Sequence, residues 1–122
     1  MREHRRTALR HPLSLAVTHI LLALADGARH GYAIKQEVEE RSGGEVRLGP
    51  GTLYEAVQRL EDAGYIEETS GAEDPENGQQ AQRRYYRLTA EGWSVLRTEM
   101  RHLARLVDRA RAHPRLRGAG LA

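Results

Sequence analysis

The chain has 122 residues and no cysteine. That length makes one domain, or one small domain with an extension, and the missing cysteine excludes disulfides, Cys-ligated zinc and a thiol nucleophile. No run approaches the roughly eighteen apolar residues of a membrane helix. A polar stretch follows the basic N-terminus with no secretory cleavage site, so a cytoplasmic protein is expected. The net charge of +2 hides an uneven spread: residues 1–11 set four arginines against Glu3, and residues 101–122 set six against Asp108. The stretch between carries the acidic excess. Basic ends on an acidic body fit a polyanionic partner. All basic residues but Lys35 are arginine, which also fits the codon usage of a GC-rich genome.

Residues 12–25 predict a first helix, with Leu13, Val17, Ile20, Leu21 and Leu24 at helical spacing. Pro12 suits its first position and Gly27 its stop. It is apolar almost all round, so burial on more than one side is expected. Residues 31–41 predict a second helix with Tyr32, Ile34 and Val38 inward, ended by Ser42-Gly43-Gly44. A third helix opens at Gly49-Pro50-Gly51-Thr52. Either Pro50 is its first residue, or Thr52 caps it with Glu55 completing a capping box. Leu53, Val57 and Leu60 form its inner stripe, and Tyr54, Glu55, Gln58 and Arg59 lie away from it.

Tyr65–Thr69 and Arg83–Leu88 read as short strands that pair as a hairpin. Between them, Ser70 to Ala81 has turn residues and no Val, Ile, Leu or aromatic side chain, the composition of a mobile loop. In the second strand, Arg83, Tyr85 and Arg87 share one face, while Arg84, Tyr86 and Leu88 share the other, with Tyr86 and Leu88 inward. Thr89 then caps a long helix running to about His113, with Leu88 and Trp93 placed as a hydrophobic staple. Trp93, Leu96, Met100, Leu103, Val107 and Ala110 recur at alternating spacings of three and four, a heptad seam, with Leu106 beside it. The Gly-rich tail after Pro114 reads as disordered.

Three helices, a hairpin and a long helix make a mainly α fold with a small β-hairpin wing: a winged helix-turn-helix plus a C-terminal dimerisation helix. The expected organisation is a flexible basic arm over 1–10, the DNA-binding unit over 11–88, the dimerisation helix over 89–113 and a flexible tail over 114–122. Four motifs sharpen this. They are His30-Gly31-Tyr32-Ala33-Ile34, Gly51-Thr52-Leu53-Tyr54, Arg59-Leu60-Glu61 with Gly64-Tyr65-Ile66, and Arg84-Tyr85-Tyr86-x-Leu88-Thr89-x-x-Gly92. Together, in this order across residues 11–100, they resemble the PadR family of bacterial transcriptional regulators. The resemblance implies a homodimeric, usually repressing DNA-binding protein, with some members sensing small aromatic or drug-like molecules.

The candidate DNA contacts are Tyr32, Gly51, Thr52, Tyr54, Gln58, Arg83 and Arg84. Glutamine reads an adenine edge bidentately, hydroxyls and arginines bond phosphates, and a glycine at a helix start admits a close phosphate. Each has a plainer role open to it: capping for Thr52, packing for Tyr32 and Tyr54, turn geometry for Gly51, solvated charge for the arginines. The acidic loop residues Glu73, Asp74 and Glu76 repel a duplex, so the wing tip is expected to project past it. The candidate dimer residues are Leu96, Met100, Leu103, Leu106 and Val107, which would set two third helices about one DNA turn apart on a pseudo-palindromic operator. An effector pocket for a flat apolar molecule is placed at Val17, Leu21, Trp93 and Met100. No nucleophile motif, phosphate loop or histidine pattern points to an enzyme, a metal or a cofactor. The contrasting reading is a winged-helix protein-interaction module without specific DNA binding.

Overall fold

The computed structural model describes residues 12–69 and 84–120. The expected N-terminal arm, with Arg2, Arg5, Arg6 and Arg10, lies outside the described residues, as do the acidic loop and Arg83.

Helix α1 spans Leu15–Ala23 rather than starting at Pro12. Ser14 stands in extended geometry, and its hydroxyl accepts the Val17 amide at 3.1 Å, so the cap sits one turn later than the proline implies. Val17, Thr18, Ile20, Leu21 and Ala23 are buried, which confirms a helix covered on most sides, although Leu15 and Leu22 face outward.

Strand β1 is only Arg29–His30. It pairs antiparallel with strand β3, Tyr85–Leu88, through Arg29↔Tyr86 and His30↔Tyr85. Strand β2, Ile66–Thr69, takes the other edge of β3 in the hairpin the sequence predicts, from Ile66↔Leu88 to Thr69↔Tyr85. The wing is therefore a three-stranded sheet in the order β1-β3-β2.

Helix α2 spans Gly31–Arg41, the expected bounds. His30 caps it: Nδ1 accepts the Ala33 amide at 3.1 Å. Ile34 and Val38 are buried, whereas Tyr32 is 57% exposed, so the expected inward Tyr32 is corrected. An ion-pair network ties α2 to the turn before it. Arg41 joins Glu37 and reaches Asp26 at 2.8 Å, and Arg29 lies 3.6 Å from Glu37. Arg29 also donates to the Ala23 carbonyl at the end of α1, at 2.7 Å.

Helix α3 spans Pro50–Asp62. Of the two starts the sequence leaves open, the Pro50 start holds. Gly49 is the N-cap without any side-chain hydrogen bond, and Thr52 lies exposed in the first turn instead of capping. Leu53, Val57 and Leu60 are buried as expected.

Helix α4 spans Ala90–Arg111, about 33 Å long. Its start is locked to the body. Thr89 accepts the Gly92 amide at 3.0 Å and donates its hydroxyl to the Gly64 carbonyl at 2.6 Å. Gly92 packs so closely that a Cβ there would lie 2.0 Å from the Tyr65 carbonyl oxygen. This close approach turns the Gly92–Leu96–Glu99 face inward. Trp93 is left 39% exposed. Buried Glu99 accepts the Leu13 amide at 3.3 Å, fastening the segment before α1 onto α4. Beyond α4, Pro114–Leu116 form a 3-10 turn with His113 as its cap, so the start of the tail is structured where disorder was expected.

Candidate nucleic-acid interface

The α2–turn–α3 unit turns one α3 face into the core and leaves the opposite face to solvent. On that outer face stand Gly51, Thr52, Tyr54, Glu55, Gln58 and Arg59. Tyr54 is 67% exposed, so a side chain able to pack against α2 is instead presented to solvent. Gly51 opens onto empty space, with nothing within 4 Å of a Cβ placed on it. The Gln58 amide donates to Asp62 at 3.2 Å, which orients it along the helix.

Beside α3 runs a groove of about 650 Å³, walled by the N-terminus of α2, by α3 and by β3. Tyr32, Tyr54, Gln58 and Arg84 line it, so the fold gathers these four candidates from three elements. Gly51 and Thr52 sit apart, on the first turn of α3. Arg84 is exposed and lies 3.3 Å from Glu68 on the neighbouring strand. Arg87 pairs with Glu67 at 2.8 Å on the opposite sheet face.

The groove also holds His30, Glu61 and Tyr86, which the sequence reading did not assign to a site. Burial pushes the Glu61 carboxyl above its ordinary range, and nearby Glu68 adds to the effect while Arg84 opposes it. Burial also raises the Tyr86 hydroxyl, assisted by Glu61 and opposed by a hydrogen bond with Arg84. His30 carries a readable signal, since it stands directly before a helix start. The placement of Glu61 depends on how α3 meets β3, which no local pattern encodes.

The other candidate sets divide between core and surface. Leu96 is buried within its own chain and Met100 packs partly against the core. Leu103 and Val107 are half-buried, and Leu106 is 51% exposed. A smaller cleft of about 240 Å³ runs between the start of α1 and α4, lined by Leu13, Leu15, Glu99, His102, Leu103 and Leu106 among others. Val17 and Leu21 belong to the core, and Leu21 has no accessible surface, so it offers no wall to a pocket in the single chain. Among the described residues no cluster of His, Cys, Asp or Glu could hold a metal ion. No described helix is long and apolar enough to cross a membrane.

Comparison with known proteins places these features in a family context. The model of the transcriptional regulator PadR-like family matches residues 20–98. A protein in transposon TN4556 of Streptomyces fradiae is 42% identical over 90 residues, covering 74% of this chain but only 23% of that protein. The chain thus spans about a quarter of that relative's length. The transcriptional regulator Rv3488 of Mycobacterium tuberculosis is 34% identical over 106 residues, covering 87% of this chain and 85% of that one. Among solved structures, a PadR family transcription regulator from Clostridium difficile R20291 superposes with a TM-score of 0.62 at 29% identity, covering 79% of this chain and 97% of the other.

Proposed function

The chain belongs to the PadR-like family of transcriptional regulators, which are not enzymes, and on that premise we propose that it acts as a homodimeric, operator-specific repressor. The observation that carries this reading is the convergence of Tyr32, Tyr54, Gln58 and Arg84 on one groove beside an exposed helix face. In this reading α3 enters the major groove, Gln58 reads a base edge, and Tyr32, Thr52, Tyr54 and Arg84 bond the backbone. Arg83 continues the contact from the wing, and Gly51 allows a phosphate to approach the first turn of α3.

The dimer rests on the second half of α4. Leu103, Leu106 and Val107 continue the apolar stripe past the part that the chain's own core covers, and Leu15 and Leu22 add exposed apolar area on α1. A second copy covering this face would set two α3 helices about 34 Å apart, one DNA turn. Residues 11–88 then act as the reading unit and 89–113 as the dimerisation helix. Release by a small apolar or aromatic effector would use Trp93 and Met100, which retain accessible surface at the edge of that face.

Selection of bound DNA from a random pool in rising salt tests the proposal. A pseudo-palindromic consensus, with affinity falling steeply with salt, is expected. The triple variant Gln58→Ala, Arg83→Ala, Arg84→Ala should lose binding while remaining folded. A protein that selects no sequence would return the chain to an interaction module, and a triple variant that binds as before would move the DNA contact away from these residues.

A further inference from the structure

Glu61 is out of place in a groove meant for DNA alone. It sits half-buried on α3 beside Tyr32, Tyr54 and Tyr86, and it has no hydrogen bond or ion pair among the described residues. The groove's arginine answers it only at a distance: the charge of Arg84 partly offsets the raised Glu61 carboxyl, but its side chain is engaged by Glu68 at 3.3 Å and by the Tyr86 hydroxyl. Nor is His30 Nδ1 open to it, since that atom accepts the Ala33 amide. A partly desolvated carboxylate with no ion pair among the described residues gains from an incoming cation. A DNA phosphate cannot supply one. The surroundings favour an organic cation: tyrosine rings attract positive charge on their faces, and Leu53 and Val57 add an apolar wall. The groove, about 650 Å³, lies within the usual range for small-molecule sites.

We propose that the α2–α3–β3 groove binds a small aromatic cation, its positive group held by the Glu61 carboxylate and its flat body by Tyr32 and Tyr54, and that this ligand displaces DNA by direct competition. The binding arm stands on the groove alone, and only the competition arm rests on the DNA-binding reading above. Induction through this site would need no conformational signal from α4, because ligand and DNA use the same side chains.

The test titrates benzyltrimethylammonium into the full chain by calorimetry, with neutral benzyl alcohol as comparator. Glu61→Gln should weaken the cation by roughly tenfold or more, and benzyl alcohol should bind far more weakly to either protein. Arg97→Ala, on the exposed side of α4, should leave the cation's affinity unchanged. Thermal melting confirms that each variant is folded. In fluorescence anisotropy with selected DNA, the cation should release DNA from the wild type at lower concentration than from Glu61→Gln. Equal cation binding by Glu61→Gln, equal binding of the alcohol, or loss of binding in Arg97→Ala in place of Glu61→Gln would overturn the site. Cation binding that leaves DNA bound would overturn the competition. A chain that binds the cation but no DNA would sink the operator reading and leave the ligand site standing.

Discussion

Helices α3 and α4 carry similar apolar stripes, yet the fold treats them differently. The stripe of α3 is fully covered by its own chain: Leu53, Val57 and Leu60 are all buried. What α3 still offers is a polar, tyrosine-bearing face. On α4 only the first half of the stripe is covered, through Gly92, Leu96 and Glu99, while Leu106 stays exposed and Leu103 and Val107 half so. A helix whose apolar face is complete can spend its other face on a polar polymer. One whose apolar face is incomplete calls for an apolar partner, and in the proposed dimer a second copy of the chain supplies the matching face. Each helix thereby indicates the chemistry of what it lacks.

The largest expected effect lies where the two helices are joined. Gly92→Ala would force a Cβ to within 2.0 Å of the Tyr65 carbonyl and 3.3 Å of Leu88. The backbone must shift, at a cost of about 3 kcal/mol, which a urea unfolding curve would read as a lowered midpoint. An unchanged midpoint would mean that α4 is not pinned to the body here. Next comes the open half of α4. Leu106→Glu should leave the monomer's stability nearly intact, since the side chain is 51% exposed. It should abolish dimers in light scattering and weaken operator binding by roughly a hundredfold through lost bivalency.

On the α3 side the effects are smaller. Arg84→Ala should reduce affinity across sequences and lower the salt slope by about one, without moving the melting temperature much. Its pair with Glu68 is exposed, and such pairs contribute little. The smallest effect concerns Glu61. The fold raises its carboxyl, so it disfavours the charged form. Stability from this group is fully present below the ordinary glutamate range and is lost as pH rises through the raised value. Glu61→Gln should therefore melt slightly higher than the wild type near neutral pH, and the gap should close as pH falls to about 4. A gap that widens on acidification would contradict the assignment.

Much of this contrast is legible in the sequence, because both stripes repeat at helical spacing and glycine and serine mark the helix ends. Helix α2 is bounded as expected since Gly31 and Ser42-Gly43-Gly44 punctuate it. The misreadings have physical causes. Tyr32 and Ile34 are two residues apart, which places them on different faces of a helix, so Tyr32 could not join Ile34 and Val38 inward. Which face of α4 turns inward is set by the close approach at Gly92, and that contact is made with Tyr65, far away in sequence. Strand β1 has two residues and therefore no period to detect. The groove at Glu61 arises only when α3 and β3 are packed side by side.

Hydrogen–deuterium exchange of the full chain, with and without its selected operator, tests the contrast most directly. The account predicts that residues 103–110 of α4 are already protected in the DNA-free protein at concentrations where it is dimeric. Adding operator should slow exchange over Pro50–Asp62 and Tyr85–Leu88 and leave α4 unchanged. Protection gained on α4 but not on α3 when DNA is added would contradict it.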